Sequence, residues 1–293
     1  MTGLPAWLME RRAARVALLA VLFPLPLALV ISAAIAVLIT NVKGWRAALA
    51  DCGLALLLLL ALATMAGTGW LELGSGAALT WLVAILLGAL RSQMSLTLAV
   101  QAAVLLGVAA AVGFTLWIQD PQAYWERVLT DLAQRADSAG LNVGPADLVP
   151  GAAQVMTGMM SASAVTSSVV ALFLGCAWSG TAHGRDFGSE FRQLRMGRTL
   201  SLATAGTALL LATGLRGTAD DLLLVFASGF VLQGLSLVHW HGFVRRWPRL
   251  WSLALYLPMA LLPAVAVLEL LGLAVIGLAD NIVNLRRNGR EVV

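Results

Sequence analysis

The chain has 293 residues, of which 60% are hydrophobic and 12% charged, with a mean hydropathy of +0.87. A soluble domain of this size needs far more polar surface, and no strands alternate as a membrane β-barrel requires. The net charge of +4 does not point to nucleic acid, because almost all the basic residues flank apolar runs, where they set membrane topology; the expected partner is the lipid bilayer.

The first apolar run, residues 13–40, follows Arg11, Arg12 and Arg15. It has no small-residue cleavage site leading into a polar mature chain, so it reads as a membrane segment and not as a leader. Pro24 and Pro26 interrupt it, and basic residues flank both of its ends (Lys43 and Arg46 on the far side). Two arrangements fit: a hairpin of short helices that enters and leaves on the cytoplasmic side, or one kinked and tilted helix. Charge placement favours the hairpin. Runs at 47–66, 77–90 and 95–117 follow, with residues 67–76 as a connection and Arg91 as a basic marker. Cys52 lies in one of these runs and Cys176 in a later one; they share no spacing motif and read as packing residues.

Residues 118–150 form a loop expected outside the cytoplasm. Asp120-Pro121 is a helix start, and Tyr124, Trp125, Val128, Leu129 and Leu132 recur behind it at helical spacing up to Gly140 and Gly144-Pro145. This predicts an amphipathic helix lying on the interface. The run 151–178 is rich in small residues: Gly158, Ala162 and Thr166 on one row, Ser163, Ser167, Ala171 and Gly175 on another. Such rows let helices touch closely, within the chain or against a partner protein through 158–175. Gln154 near its outer end, with Met156, Met159 and Met160, is a candidate ligand contact. The cytoplasmic loop 179–198 holds Glu190, Arg192 and Arg195 among Phe187, Phe191 and Leu194, the pattern of a short amphipathic helix on the membrane surface or one that docks a partner through 187–195.

After the run 199–215, Asp220 and Asp221 read as a helix cap, and the run 222–244 contains Gln233, Ser236 and His239 within about a third of the helix circumference. Polar groups at that depth serve as interhelical glue or line a ligand site. His239 and His241 point to opposite sides, so no metal site is expected. The last run, 251–278, contains Pro258 and Pro263 and the carboxylate Glu269, a further candidate ligand residue; hairpin and single kinked helix fit it equally. Asp280, Asn281, Asn284 and Arg286 end it at the cytoplasmic face. Asp280, Arg286, Glu190 and Arg195 are the candidates for a cytoplasmic structural network, with Asp280 as the expected partner of His239. No nucleotide-binding, nucleophile-elbow, zincin or paired-carboxylate motif is present, so neither catalysis nor a cofactor is expected.

The sum is an all-α, polytopic bundle with eight to ten membrane segments and Pro-broken short helices at both ends. It forms a single integral domain over residues 1–293, both termini cytoplasmic.

Four segments, "LRSQMSLTLAV" at 90–100, "FGSEFRQLRMG" at 187–197, "LQGLSLVHWH" at 232–241 and "IGLADNIVNLRR" at 276–287, resemble the YybS-like family of bacterial membrane proteins. The chain departs from the family pattern at "HGRD" (183–186), where an Asn-Pro-Gly-Gly-like turn is expected. The family has no assigned activity. Its distant similarity to substrate-binding subunits of energy-coupling-factor transporters implies a small-molecule binding or transport subunit of the bacterial inner membrane; the alternative is a non-catalytic scaffold or assembly factor.

Overall fold

The computed structural model describes residues 4–67, 69–141, 148–180, 186–214, 217–248 and 250–286. The "HGRD" stretch up to Arg185, the Gly144-Pro145 stop and the arginines beyond Arg286 lie outside them. Among the described residues there is no strand. The helices in chain order are α1 (Leu4–Glu10), α2 (Arg12–Leu22), α3 (Ala28–Lys43), α4 (Trp45–Met65), α5 (Trp70–Gln93), α6 (Leu96–Trp117), α7 (Pro121–Ser138), α8 (Val149–Ser179), α9 (Phe187–Arg192), α10 (Gly197–Ala212), α11 (Thr218–Val244), α12 (Trp251–Leu261) and α13 (Pro263–Val283). Six of them, α4, α5, α6, α8, α11 and α13, are long and apolar enough to cross a membrane. The protein is an all-α, multi-pass membrane bundle. The run 199–215 is the 16-residue α10, and the two end runs are divided, the first between Leu22 and Ala28 and the last at Leu262 before Pro263, with Pro258 inside α12. The chain divides into two compact units, Met1–Ala103 with Thr166–Leu194, and Val104–Val165 with Arg195–Val293.

In the first unit the run 13–40 is a hairpin. Ser32 Oγ donates to the Leu19 carbonyl at 2.9 Å, across a turn that contains Pro24 and Pro26. Leu27 closes that turn at φ 58, with Ala28 N donating to Pro26 O at 2.5 Å. This is a γ-turn of the positive-φ kind, strained for any residue with a Cβ. The returning helix α3 is buried all round from Ser32 to Asn41, as an entirely apolar helix must be to form a core. Trp81 of α5 donates its indole N–H to Ser32 Oγ at 3.0 Å. Val37 lies where a Cβ on Gly175 would stand, 2.6 Å away. The helix α5 begins at Trp70, well before the apolar run at 77–90. Gly74 falls in the stretch expected as a connection, yet it lies inside α5, where a Cβ would come within 2.7 Å of Leu60; it is a point of close helix approach.

In the second unit α11 and α13 are joined backbone to backbone. A Cβ on Gly234 would collide with the Leu273 carbonyl, and one on Gly277 with the Phe230 carbonyl. Gln233 reaches Asp280 and Ser236 reaches Arg286. The short α12 is broken from α13 at Leu262 and sets Trp251 against Gly242 and His239 of α11. Asp120 caps α7 by accepting from Ala123 N at 2.9 Å. The aromatics of α7 face protein: Phe114 stacks on Trp125 at 5.6 Å, and Trp125 donates to Thr157 Oγ1 at 2.9 Å.

Candidate functional site

The polar side chains of α11 and α13 meet in a buried cluster. Gln233 and Asp280 are fully buried, as is Ser236. The Gln233 carbonyl oxygen accepts from Met196 N at 2.7 Å and from Asn281 Nδ2 at 3.2 Å. Its amide nitrogen donates to Asp280 Oδ2 at 3.0 Å and to Asn281 Oδ1 at 3.1 Å. A primary amide has two donors and two acceptor positions, so the chain itself saturates Gln233. Asn281 also donates to Ser201 Oγ at 2.9 Å, which ties the start of α10 to α13. Arg286, 5% exposed, sits with its Nε 3.1 Å from Asp280 Oδ2 and donates to Ser236 Oγ at 3.3 Å. Burial pushes the Arg286 guanidinium down from its ordinary pKa and the Asp280 carboxylate pulls it back up; an arginine stays charged throughout. Arg195 donates to Asn284 Oδ1 at 2.6 Å. The arrangement ties the start of α10 and the end of α13 to the interior of α11 and leaves the Gln233 amide nothing to offer a ligand.

The remaining candidates do not gather here. His239 pairs with Tyr256 and not with Asp280: its Nε2 lies 2.7 Å from the Tyr256 hydroxyl, and its ring meets Trp251 edge-on at 4.9 Å. The expectation failed because α12 sets Trp251 and Tyr256 against His239, which spacing along α11 cannot reveal. Glu269 lies on α13 about 16 Å N-terminal of Asp280 along the axis. It is half-buried, and its Oε2 is buried with no hydrogen-bond partner among the described residues. Gln154 is exposed on α8. Glu190 belongs to the other unit, where it accepts from Arg91 Nε at 3.0 Å.

Both surfaces expected to receive a partner protein are used by the chain itself at their key residues. Phe187 and Phe191 pack on Phe173 at 5.4 and 5.3 Å, and Leu194 is fully buried. Gly158 N donates to Asp221 Oδ1 at 2.7 Å, and Gly175 abuts Val37.

Sequence reasoning passed over two ionic clusters in the first unit. Arg12 Nε and Arg15 Nε lie 2.7 and 2.8 Å from the two oxygens of Asp51, while Arg15 also donates to the carbonyls of Leu8 and Met9, closing the end of α1. Arg91, 1% exposed, is the buried member of the pair with Glu190. These arginines read as topology markers. The signal for the first cluster was Asp51 itself, a carboxylate one turn inside an apolar run, which needs a cation.

The first unit also holds an apolar pocket of about 670 Å³, open along one side. It is lined by the end of α2 and the hairpin turn (Ala20, Phe23, Pro24), by α4 (Leu59, Leu62, Ala63), and by the start of α5 (Glu72, Leu73). Glu72 is its one charged lining residue. Trp81 meets Phe23 edge-on at 5.6 Å and braces one wall. The volume lies within the range of small-molecule sites, which are apolar with few polar groups.

No protein-family model, curated protein or solved structure matches the chain.

Proposed function

We propose that this protein is a small-molecule binding or transport subunit of a bacterial cytoplasmic membrane, and that it holds an apolar ligand between α2, α4 and α5. The observation that carries this reading is the cavity, sized for a ligand and walled by side chains that offer dispersion contact and little hydrogen bonding. The alternation of arginine-flanked ends supports cytoplasmic termini and an external loop at α7. The motif resemblance to the YybS-like family rests on residues 90–100, 187–197, 232–241 and 276–287 and agrees with this reading without adding an activity. Native mass spectrometry of protein released from membranes in mild detergent tests it. A retained small molecule should be present in the wild type and lost in Ala63→Phe, which fills the cavity. Identical spectra for both proteins would refute it.

The second reading is a non-catalytic membrane scaffold, favoured by the saturated Gln233 cluster, whose polar groups stabilise helices and are closed to ligands. It predicts a ligand-free protein in the same experiment.

A further inference from the structure

We propose that the α2–α4–α5 cavity selects a cationic amphiphile, a molecule with an apolar body and a protonated amine, and that Glu72 receives the amine. The inference rests on the cavity being a ligand site and adds the chemistry of its ligand.

The lining is apolar apart from Glu72. Its side chain folds back over Gly69, where a Cβ would collide with Oε2; the glycine gives the carboxylate room to lie along the cavity rim. Among the described residues the Glu72 side chain has no hydrogen-bond or ion-pair partner, in contrast to Asp51, Glu190 and Asp280, each held by an arginine. Glu72 is exposed while Leu59 and Ala63 are buried, so the carboxylate stands at the exposed edge of an apolar pocket. A carboxylate so placed repels an anionic headgroup. It gains only an ordinary hydrogen bond from an alcohol, and forms a charge-assisted hydrogen bond with an ammonium. The apolar body of the ligand meanwhile replaces lipid against Phe23, Leu59 and Leu73. A free long-chain amine and an aminophospholipid headgroup present the same ammonium, and both fit this chemistry.

The test is a native mass spectrometry titration of the detergent-solubilised protein with decylamine and, separately, with decanol. Wild type should bind decylamine about ten to a hundred times more tightly than decanol, as expected for a charge-assisted bond over a neutral one. Glu72→Gln should bring decylamine down to the level of decanol and leave decanol unchanged. Ala63→Phe should lose both; Leu62→Trp serves in its place if circular dichroism shows that Ala63→Phe has not folded. Equal affinities in the wild type, or a preference that survives Glu72→Gln, would overturn the charge selection while leaving the cavity as a site. Failure of both probes to bind wild type would overturn the cavity reading itself. Competition of phosphatidylethanolamine, but not phosphatidylglycerol, against decylamine would support the proposal with a lipid as the source of the amine; absence of competition by either lipid, with the decylamine preference intact, would support it with a free amine.

Discussion

Replacing Gln233 with leucine removes four hydrogen bonds and keeps nearly the same volume. The lost bonds are those to Met196 N, Asp280 Oδ2 and both ends of the Asn281 amide, at 2.7 to 3.2 Å. Interhelical hydrogen bonds in a bilayer average about 0.6 kcal/mol and reach about 1.7. Four of them, with Met196 N–H left buried and unpaired, come to about 2 to 4 kcal/mol. Asp280 keeps Arg286, so the loss stays below that of a stranded buried charge. A reversible unfolding titration in mixed micelles measures the difference, and a double-mutant cycle with Asn281→Leu isolates the amide pair. A change under about 0.5 kcal/mol, the size of an ordinary surface substitution, would refute the account of Gln233 as the tie between α10, α11 and α13.

Gly234→Val and Gly277→Val each place a side chain onto the carbonyl of the facing helix; each should separate α11 from α13 and lower stability by about 1 to 3 kcal/mol or more, read in the same titration. Leu27→Gly removes the Cβ from a residue at φ 58 and should raise stability by about 1 kcal/mol, since strain of this kind costs of that order. Asp51→Asn strands the buried Arg15 and should cost about 3 to 5 kcal/mol. By contrast Arg12→Ala removes a side chain that is 58% exposed and should cost under about 1 kcal/mol. Reporter fusions at the C-terminus and at Gly140 should report cytoplasmic and external locations respectively.

The helical bundle and the breaks in its end runs were legible because they follow from apolar length, from prolines and from the parity of arginine-flanked ends. These are local properties. The burial of Gln233 was legible for a similar reason, since a glutamine with no water in reach must find a partner. Partner identity was not legible. His239 meets Tyr256 because α12 brings Trp251 and Tyr256 against it, a tertiary contact with no signature in the spacing of the histidine. Arg15 and Arg91 were hidden for the opposite reason, as each sits beside a helix end where arginine ordinarily meets lipid phosphate. Glycines were ambiguous in the same way: Gly74 permits close packing inside a helix, while Gly69 clears space for a side chain. Glu72 was passed over because it falls in a stretch that reads as a connection until α5 is seen to begin at Trp70.

The most direct test of the central claim is an experimental density map of the protein in lipid nanodiscs. The account predicts elongated non-protein density enclosed by Phe23, Leu59, Ala63 and Leu73, with one end within hydrogen-bond distance of the Glu72 carboxylate. A map in which α5 closes against α2, with the side chains of Phe23 and Leu73 in contact and no space between them, would contradict it.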